Sequence, residues 1–133
     1  MDYGQSYEKD LTTLKPETKF WHKVKKSMPE ISFTRLENLS SFGTPDLLCY
    51  NKNHTFFTIE LKVAKGNLVK LSPHQISFHV KHPHRTFILV SSALYKDEKL
   101  YEGSRCLSLA TEGLRLEACR SGLDLIYNYF KRL

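Results

Sequence analysis

The sequence predicts a single α/β domain over residues 1–133, built from a mixed β-sheet flanked by helices. Helical and strand patterns alternate along the chain in the order helix, strands, helix, strand. Residues 86–92 are short and nearly all apolar, as expected of a strand that is buried on both faces. A length of 133 residues is enough for one hydrophobic core but short for two domains.

The composition favours a folded domain with an anionic partner. The chain has 20 Lys and Arg residues against 14 Asp and Glu residues, which gives a formal net charge of +6. This balance favours association with phosphate groups or other anionic surfaces. A hydrophobic fraction of 41%, with only 6 Gly and 5 Pro, excludes a disordered, collagen-like or low-complexity chain.

The cysteines and the apolar runs bear on location. Three widely separated cysteines offer neither a disulfide framework nor a zinc-binding CxxC pair, so we expect a reducing compartment and a cytoplasmic protein. These are Cys49, Cys106 and Cys119. The first ten residues lack the pattern of a secretion signal, and no apolar run approaches the ~20 residues of a membrane span. We therefore expect no membrane association.

The first helix is predicted to begin at Pro16 and to end before Pro29, after an N-terminal arm of residues 1–14. Residues spaced i, i+4, i+7 and i+11 form its inward stripe. These are Glu17, Trp21, Val24 and Met28. A carboxylate on an apolar stripe is unusual, which makes Glu17 a candidate site residue, although an acid in the first turn also suits the helix dipole.

Three strands are predicted next, at 31–36, 46–50 and 55–63, the last two forming a hairpin. Alternation in the third strand gives an apolar face for the core and a polar face with Glu60 and Lys62. In an antiparallel pair, Asp46 and Glu60 face each other only if Tyr50 pairs with Phe56. The hairpin then needs a connection of three or five residues, whereas a regular two-residue turn would put the acids on opposite faces.

The second half of the chain has clear signals at both ends. Ser72, Pro73 and Gln75 form a capping-box pattern, which predicts a helix to about Lys81. The buried strand 86–92 and a shorter strand at 99–103 follow, joined by a polar turn. Residues 104–120 show no decisive pattern, and Ser121 is expected to open a final helix. Its apolar face contains Leu123, Ile126, Tyr127 and Phe130.

Two acids and an amine are expected to meet at one edge of the hairpin. Asp46 begins a strand, and Glu60 shares a strand face with Lys62. Clustered carboxylates are the hard oxygen ligands that Mg²⁺ prefers, and a nearby Lys stabilises charge that develops on a phosphate. The pattern therefore indicates metal-dependent phosphodiester hydrolysis, although a lone Glu-Leu-Lys triplet is usually a solvated surface.

Three short segments resemble motifs of the PD-(D/E)xK nuclease superfamily: GTPD at 43–46, ELK at 60–62 and SPHQ at 72–75. Within it, the chain is similar to the virus-type replication-repair nucleases (VRR-NUC). The resemblance implies a restriction-endonuclease-like core and an endodeoxyribonuclease that depends on Mg²⁺ or Mn²⁺. It further implies metal ligation by Asp46, Glu60 and the carbonyl of Leu61, with Lys62 assisting the attacking water.

A glutamate from the preceding helix completes the metal site in such nucleases. The resemblance implies Glu17 for this role, with Glu37 as the competitor. It also implies a structure-specific enzyme for branched or junction DNA, similar to junction-resolving nucleases that act as homodimers in a bacterial or phage-infected cell. Two alternatives remain: a nuclease-fold DNA-binding module without catalysis, and a sequence-specific restriction-type enzyme.

Basic and polar residues around the two motifs are the expected nucleic-acid contacts. They are Lys65, Lys70, His74, Gln75, Lys81 and Arg85. Gln75 also resembles the start of a QxxxY motif, but the fourth residue on is His79. Each of these assignments has its own alternative. Gln75 could act only as a helix cap, and the basic residues could be ordinary solvent-exposed surface. His79 and His82 could instead hold zinc.

Overall fold

The computed structural model describes residues 15–36 and 43–133, so the predicted arm and Glu37 lie outside the described residues. Within these ranges there are four helices: α1 (Pro16–Ser27), α2 (Pro73–Lys81), α3 (Cys106–Glu112) and α4 (Leu123–Lys131). The strands are β1 (Ser32–Arg35), β2 (Leu47–Tyr50), β3 (Phe56–Val63), β4 (Thr86–Ser92), β5 (Asp97–Glu102) and β6 (Arg120–Ser121).

One sheet contains these six strands in the order β1-β2-β3-β4-β5-β6. Strands β3 and β4 are parallel, and every other neighbouring pair is antiparallel. Parallel neighbours need a crossover connection, and α2 lies in the segment that joins them. The predicted class is confirmed: the protein is a mixed α/β fold with helices flanking the sheet, compatible with a restriction-endonuclease-like core.

The predicted hairpin register is confirmed. Tyr50 pairs with Phe56, and Leu47 pairs with Ile59. The connection contains the five residues 51–55, and the backbone N–H of Asn51 donates to the carbonyl of Thr55 at 3.2 Å. Because the connection has an odd number of residues, the next pair in register is Asp46 with Glu60, on one face of the sheet.

The sheet has a hydrophobic cluster on each face. Helices α1 and α4 cover the first face with residues such as Trp21, Val24, Ile126 and Phe130. The second cluster lies on the opposite face and includes Ile88, Val90, Tyr101, Cys106 and Leu109. The apolar face predicted for β3 is confirmed, since Phe57, Ile59 and Leu61 belong to the first cluster. The burial of its polar face was not predicted: the second cluster covers that side of the sheet, and Glu60 is only 3% exposed.

The sequence predicted the start of α2 correctly but not the start of α4. The capping box of α2 is confirmed: Ser72 Oγ accepts the Gln75 N–H at 3.1 Å, and Gln75 Oε1 accepts the Ser72 N–H at 3.0 Å. The final helix does not open at Ser121, which lies in β6 opposite Lys99. Its N-cap is Gly122, whose φ of 85° suits glycine and turns the chain from strand to helix.

The segment without a clear pattern folds into short elements. Single 3₁₀ turns, Gly103–Arg105 and Gly113–Arg115, bracket α3. Strand β5 begins two residues earlier than predicted, at Asp97. Among the helices in the described ranges, none is long and apolar enough to cross a membrane.

Candidate active site

Asp46 is fixed against β3 at the point where β2 stops pairing with it. The ladder between these strands ends at Leu47 and Ile59. Beyond it, Asp46 Oδ2 accepts the backbone N–H of Leu61 at 2.7 Å. A carboxylate that accepts a backbone N–H in this way holds a defined position. Asp46 therefore lies beside Glu60, as the hairpin register requires.

Glu60 is a buried carboxylate in an unusual electrostatic environment. Burial, a side-chain hydrogen bond with Asp46 and the negative charge of that residue together raise its pKa to about 10, and burial contributes most. The ammonium of Lys62 opposes this shift. Glu60 Oε1 is buried and has no hydrogen-bond partner among the described residues.

This pair of acids fits a divalent cation. A buried carboxylate oxygen without a partner, next to a second carboxylate, is costly unless a positive charge satisfies both. Mg²⁺ binds through one or two carboxylates and keeps water or phosphate oxygens at its other positions. Asp46 and Glu60 have the chemistry to hold Mg²⁺ or Mn²⁺.

Glu17 lies near this pair but is not part of a compact ligand group. It is exposed in the first turn of α1 and lines a cavity of about 80 Å³ with Asp46 and Leu61. Its charge makes a small contribution to the raised pKa of Glu60. However, no group of three His, Cys, Asp or Glu residues in 15–36 and 43–133 is arranged to hold a metal ion.

Lys62 and two further lysines line a larger cavity next to the acids. Its volume is about 560 Å³, and Glu17 forms part of its wall. Lys62, Lys65 and Lys70 supply positive charge, and the first turn of α2 lies beside them. Gln75 lines this cavity while its side-chain oxygen is engaged in the cap of α2. The structure thus brings Lys65, Lys70 and Gln75 to the cavity of Lys62 and Glu17.

His74 lies at the same end of α2 and packs against the segment that leads to Asp46. A Cβ added at Gly43 would lie 2.3 Å from the carbonyl oxygen of His74, and Gly43 has a φ of +83°. Only glycine allows this close approach together with this backbone conformation. The GTPD segment and the SPHQ segment are therefore in direct contact.

Lys81 and Arg85 are not brought to the acids. Lys81 ends α2, a helix of nine residues and therefore about 13 Å long, whose first turn is the one near the acids. Arg85 lines a separate cavity of about 240 Å³ with Tyr129 and Leu133. Neither residue lines the cavity that contains Lys62.

The histidines of α2 do not form a zinc site with other described residues. His79 is fully buried, and neither ring nitrogen has a hydrogen-bond partner in the described part of the chain. Burial, and to a smaller extent His82, lowers the pKa of His79 to about 4. His79 therefore packs as a neutral ring, and the ligand groups that zinc needs are not assembled around it in the described ranges.

Arg35 was not among the candidate site residues predicted from the sequence. It lines the 80 Å³ cavity with Glu17 and Asp46, and its guanidinium carbon lies 6.0 Å from the centre of the Trp21 ring. No ion pair joins it to a described carboxylate. The alternation of 31–36 was the available signal, because it places Arg35 on the same face as Phe33, which contacts Trp21.

Comparison with known proteins adds no family to this description. Neither the protein-family models nor the curated proteins contain a match to this chain. The chemistry of the site is therefore inferred from its own residues: two adjacent carboxylates, one of them buried, and three lysines beside them.

Proposed function

We propose that this protein is a metal-dependent endodeoxyribonuclease that hydrolyses phosphodiester bonds of DNA. The observation that carries the proposal is the juxtaposition of Asp46 with the buried, unpartnered carboxylate oxygen of Glu60. The lysine-lined cavity beside them supports it, because an anionic backbone would bring its phosphates there. The motif resemblance to PD-(D/E)xK nucleases points to the same activity.

Each residue has a distinct task in this proposal. Asp46 and Glu60 hold Mg²⁺ or Mn²⁺, which supplies Lewis-acid stabilisation of the charge on the phosphate. Lys62 is two residues from Glu60, on the same strand face, and its ammonium orients the attacking water and stabilises the developing negative charge. Lys65 and Lys70 hold the neighbouring phosphates. Glu17 and the Leu61 carbonyl are the further ligands that the resemblance implies.

In more detail, we propose a structure-specific enzyme whose substrate is branched or junction DNA. It acts as a homodimer in the cytoplasm of a bacterial or phage-infected cell. This part of the proposal rests on the resemblance. A catalytically inactive DNA-binding module is the second candidate, since the positive cavity alone would serve binding. The raised pKa of Glu60 favours the enzyme, because DNA binding alone gives no reason to bury one acid beside a second.

The test is a cleavage assay on labelled single-stranded, duplex, flap and four-way-junction DNA in Mg²⁺, Mn²⁺ or EDTA. Wild-type protein should cleave at least one substrate with metal and none in EDTA. Asp46→Asn, Glu60→Gln and Lys62→Ala should each lower the rate by about 100-fold or more, because electrostatic stabilisation is the main catalytic contribution. The variants at the two acids should still bind DNA.

Matched controls are Glu112→Gln and Lys26→Ala, which alter exposed residues on α3 and α1. Both should keep wild-type rates. Full activity in any two of the three site variants would refute the assignment. Binding without cleavage by wild-type protein, in either metal and on every substrate, would instead support the inactive module.

A further inference from the structure

Two turns project from the sheet where the parallel strands β3 and β4 end. In the first, Lys65 and Leu68 exchange two backbone hydrogen bonds of 3.0 and 2.9 Å. In the second, the N–H of Tyr95 donates to Ser92 Oγ at 3.0 Å. The two turns are joined, because Tyr95 Oη donates to Asn67 Oδ1 at 3.2 Å. We call residues 65–68 and 92–96 together the two-turn tip.

Backbone contacts with residues 113 and 114 fix the first turn of the two-turn tip. The carbonyl oxygen of Asn67 accepts the N–H of Leu114 at 2.9 Å. A Cβ at Gly113 would lie 2.0 Å from that same oxygen, so the first turn rests directly on glycine backbone. A turn fixed by the next element and by Tyr95 presents its outer side chains in a defined arrangement.

The outer side chains are apolar, although they face solvent. Leu68 is 53% exposed, Leu94 57% and Tyr95 47%. Exposed lysines occur in the same segments, at Lys65 and Lys96 within the turns and at Lys70 just beyond. An apolar surface with positive charge in the same turns suits a ligand that combines a flat apolar face with an anionic backbone, which is the chemistry of an unstacked nucleotide.

The position of the two-turn tip relative to the acids sets a distance. Lys65 is three residues beyond Lys62, and at about 3.3 Å per residue it lies about 10 Å further along the chain direction of β3. Lys65 also lines the cavity that contains Lys62. A single DNA strand bound at the acids would therefore follow this cavity to the two-turn tip.

We propose that the two-turn tip holds an unpaired nucleobase of the cleaved DNA strand, stacked on Tyr95 and packed against Leu68 and Leu94. This inference rests on the proposed function for its alignment with the acids. A base inside an intact duplex has both faces covered by its neighbours and offers no surface to Tyr95. The two-turn tip therefore selects DNA that has an unpaired segment beside the cleavage site.

One face of the Tyr95 ring already has a cationic neighbour. Lys99 Nζ lies 4.9 Å from the centre of the ring. The opposite face is the one left for a base, and stacking on an aromatic ring is tolerant of base identity. The selection is consequently for unpaired structure, with little preference for sequence.

The experiment uses gapped DNA carrying the fluorescent base 2-aminopurine at each of five positions on either side of the cleaved bond. Binding is measured in Ca²⁺, to avoid turnover. With wild-type protein, fluorescence should be quenched by stacking at one position or two neighbouring positions, all on the same side of that bond. Tyr95→Phe should keep the quenching, and Tyr95→Ser should abolish it.

Affinity gives a second readout. Tyr95→Ser, and the double variant Leu68→Ser with Leu94→Ser, should lower affinity for gapped DNA by about tenfold and leave affinity for blunt duplex within about twofold. The control is Leu125→Ser, an equally exposed leucine on α4, which should change neither. Thermal melts of each variant establish that it is folded.

The outcomes separate this inference from the endonuclease proposal. Tyr95-dependent quenching without cleavage would refute the enzyme and leave the two-turn tip as a base-binding surface. Cleavage with no effect of the Tyr95 and leucine variants would refute the inference alone. Equal loss on gapped and blunt DNA, or a change of oligomeric state without a change in DNA affinity, would also overturn it, the last result indicating a protein-binding surface.

Discussion

Asp46 Oδ2 accepts the backbone N–H of Leu61 at 2.7 Å, one residue beyond Glu60. If β2 continued to pair with β3, a backbone carbonyl of β2 would accept the Leu61 N–H. The pairing ends at Leu47, and the Asp46 carboxylate accepts this N–H instead. The negative charge of Asp46 is consequently held against Glu60 by main-chain geometry, which does not depend on a bound ligand.

The first prediction concerns the pH dependence of stability without metal. Burial and the neighbouring Asp46 raise the pKa of Glu60 from 4.5 to about 10 on folding. Between these values the folded state binds more protons than the unfolded state, so the free energy of unfolding falls as pH rises, by up to about 1.4 kcal/mol per pH unit. Glu60→Gln removes this contribution, and the variant should become the more stable protein at alkaline pH.

Urea unfolding in EDTA at several values between pH 5 and pH 9 checks this prediction. The stability of wild-type protein should decline relative to that of Glu60→Gln across the range. Glu112→Gln is the control and should follow the wild-type curve. Parallel curves for wild type and Glu60→Gln would show that the Glu60 carboxyl has the same pKa in both states.

The second prediction concerns the contact between the two motif segments. In Gly43→Ala, the new Cβ would meet the His74 carbonyl oxygen at 2.3 Å, at a backbone φ of +83°. We expect a loss of about 2–3 kcal/mol in the free energy of unfolding and a fall in DNA cleavage, because the segment leading to Asp46 must move. Chemical denaturation and a cleavage assay measure the two effects.

Gly122→Ala is a closely matched control. Gly122 has a φ of +85°, and a Cβ there would meet nothing within 4 Å. The substitution therefore adds the same backbone strain, about 1 kcal/mol, without the clash. Cleavage by Gly122→Ala should be normal. If both alanine variants behaved alike, the contact of Gly43 with His74 would have no role beyond backbone conformation.

The sheet near the acids could be predicted because it depends on short-range rules. Alternation in β3 and the parity rule for the connection predicted that Asp46 faces Glu60 if the connection has three or five residues, and the structure has the five residues 51–55. The cap of α2 could also be predicted from the sequence, because Ser72 and Gln75 have the three-residue spacing of a capping box. In each case the decisive interactions join residues that are close in sequence.

The remaining features depend on contacts between distant residues. The burial of Glu60 comes from the second hydrophobic cluster, whose members are spread from Ala64 to Leu116. Helix α3 is only seven residues long, and its ends are fixed by tight packing at Gly103 and Gly113. Isolated helices of that length are unstable, so sequence pattern alone gives little signal for them.

The third prediction concerns Asn51, which joins the hairpin connection to the end of α4. It is 2% exposed, and its Nδ2 donates to the carbonyls of Phe130 at 2.9 Å and Leu133 at 3.2 Å. Its Oδ1 accepts the N–H groups of Asn53 and Thr55, each at 3.0 Å. Asn51→Ala leaves four backbone groups without this partner and should cost about 2–4 kcal/mol in the free energy of unfolding.

Asn53→Ala provides the comparison in the same turn. The Asn53 side chain is exposed and donates to the Lys131 carbonyl at 3.0 Å, where water can replace it. Its loss should cost less than about 1 kcal/mol. Denaturant unfolding distinguishes the two variants. A cost for Asn53→Ala as large as that for Asn51→Ala would contradict the view that burial makes Asn51 the anchor.

The fourth prediction divides the four basic residues that the sequence grouped together. Lys65 and Lys70 line the cavity with Lys62, whereas Lys81 and Arg85 lie towards the other end of α2. The double variant Lys65→Glu with Lys70→Glu should weaken DNA binding by tenfold or more. Its log–log salt slope on duplex DNA should be shallower by about 2, at about 0.9 for each lost phosphate contact.

Fluorescence anisotropy titrations over a range of salt concentrations give both quantities, and Lys81→Glu with Arg85→Glu is the matched comparison of equal charge change. That second pair should alter affinity less and leave the slope nearly unchanged, because long-range effects are screened within about 10 Å at 0.1 M salt. Equal effects from the two pairs would mean that DNA follows α2 along its whole length. An unchanged slope in the Lys65 and Lys70 variant would show that phosphates do not enter the cavity beside Lys62, and the path from the acids to the two-turn tip would then have to lie elsewhere.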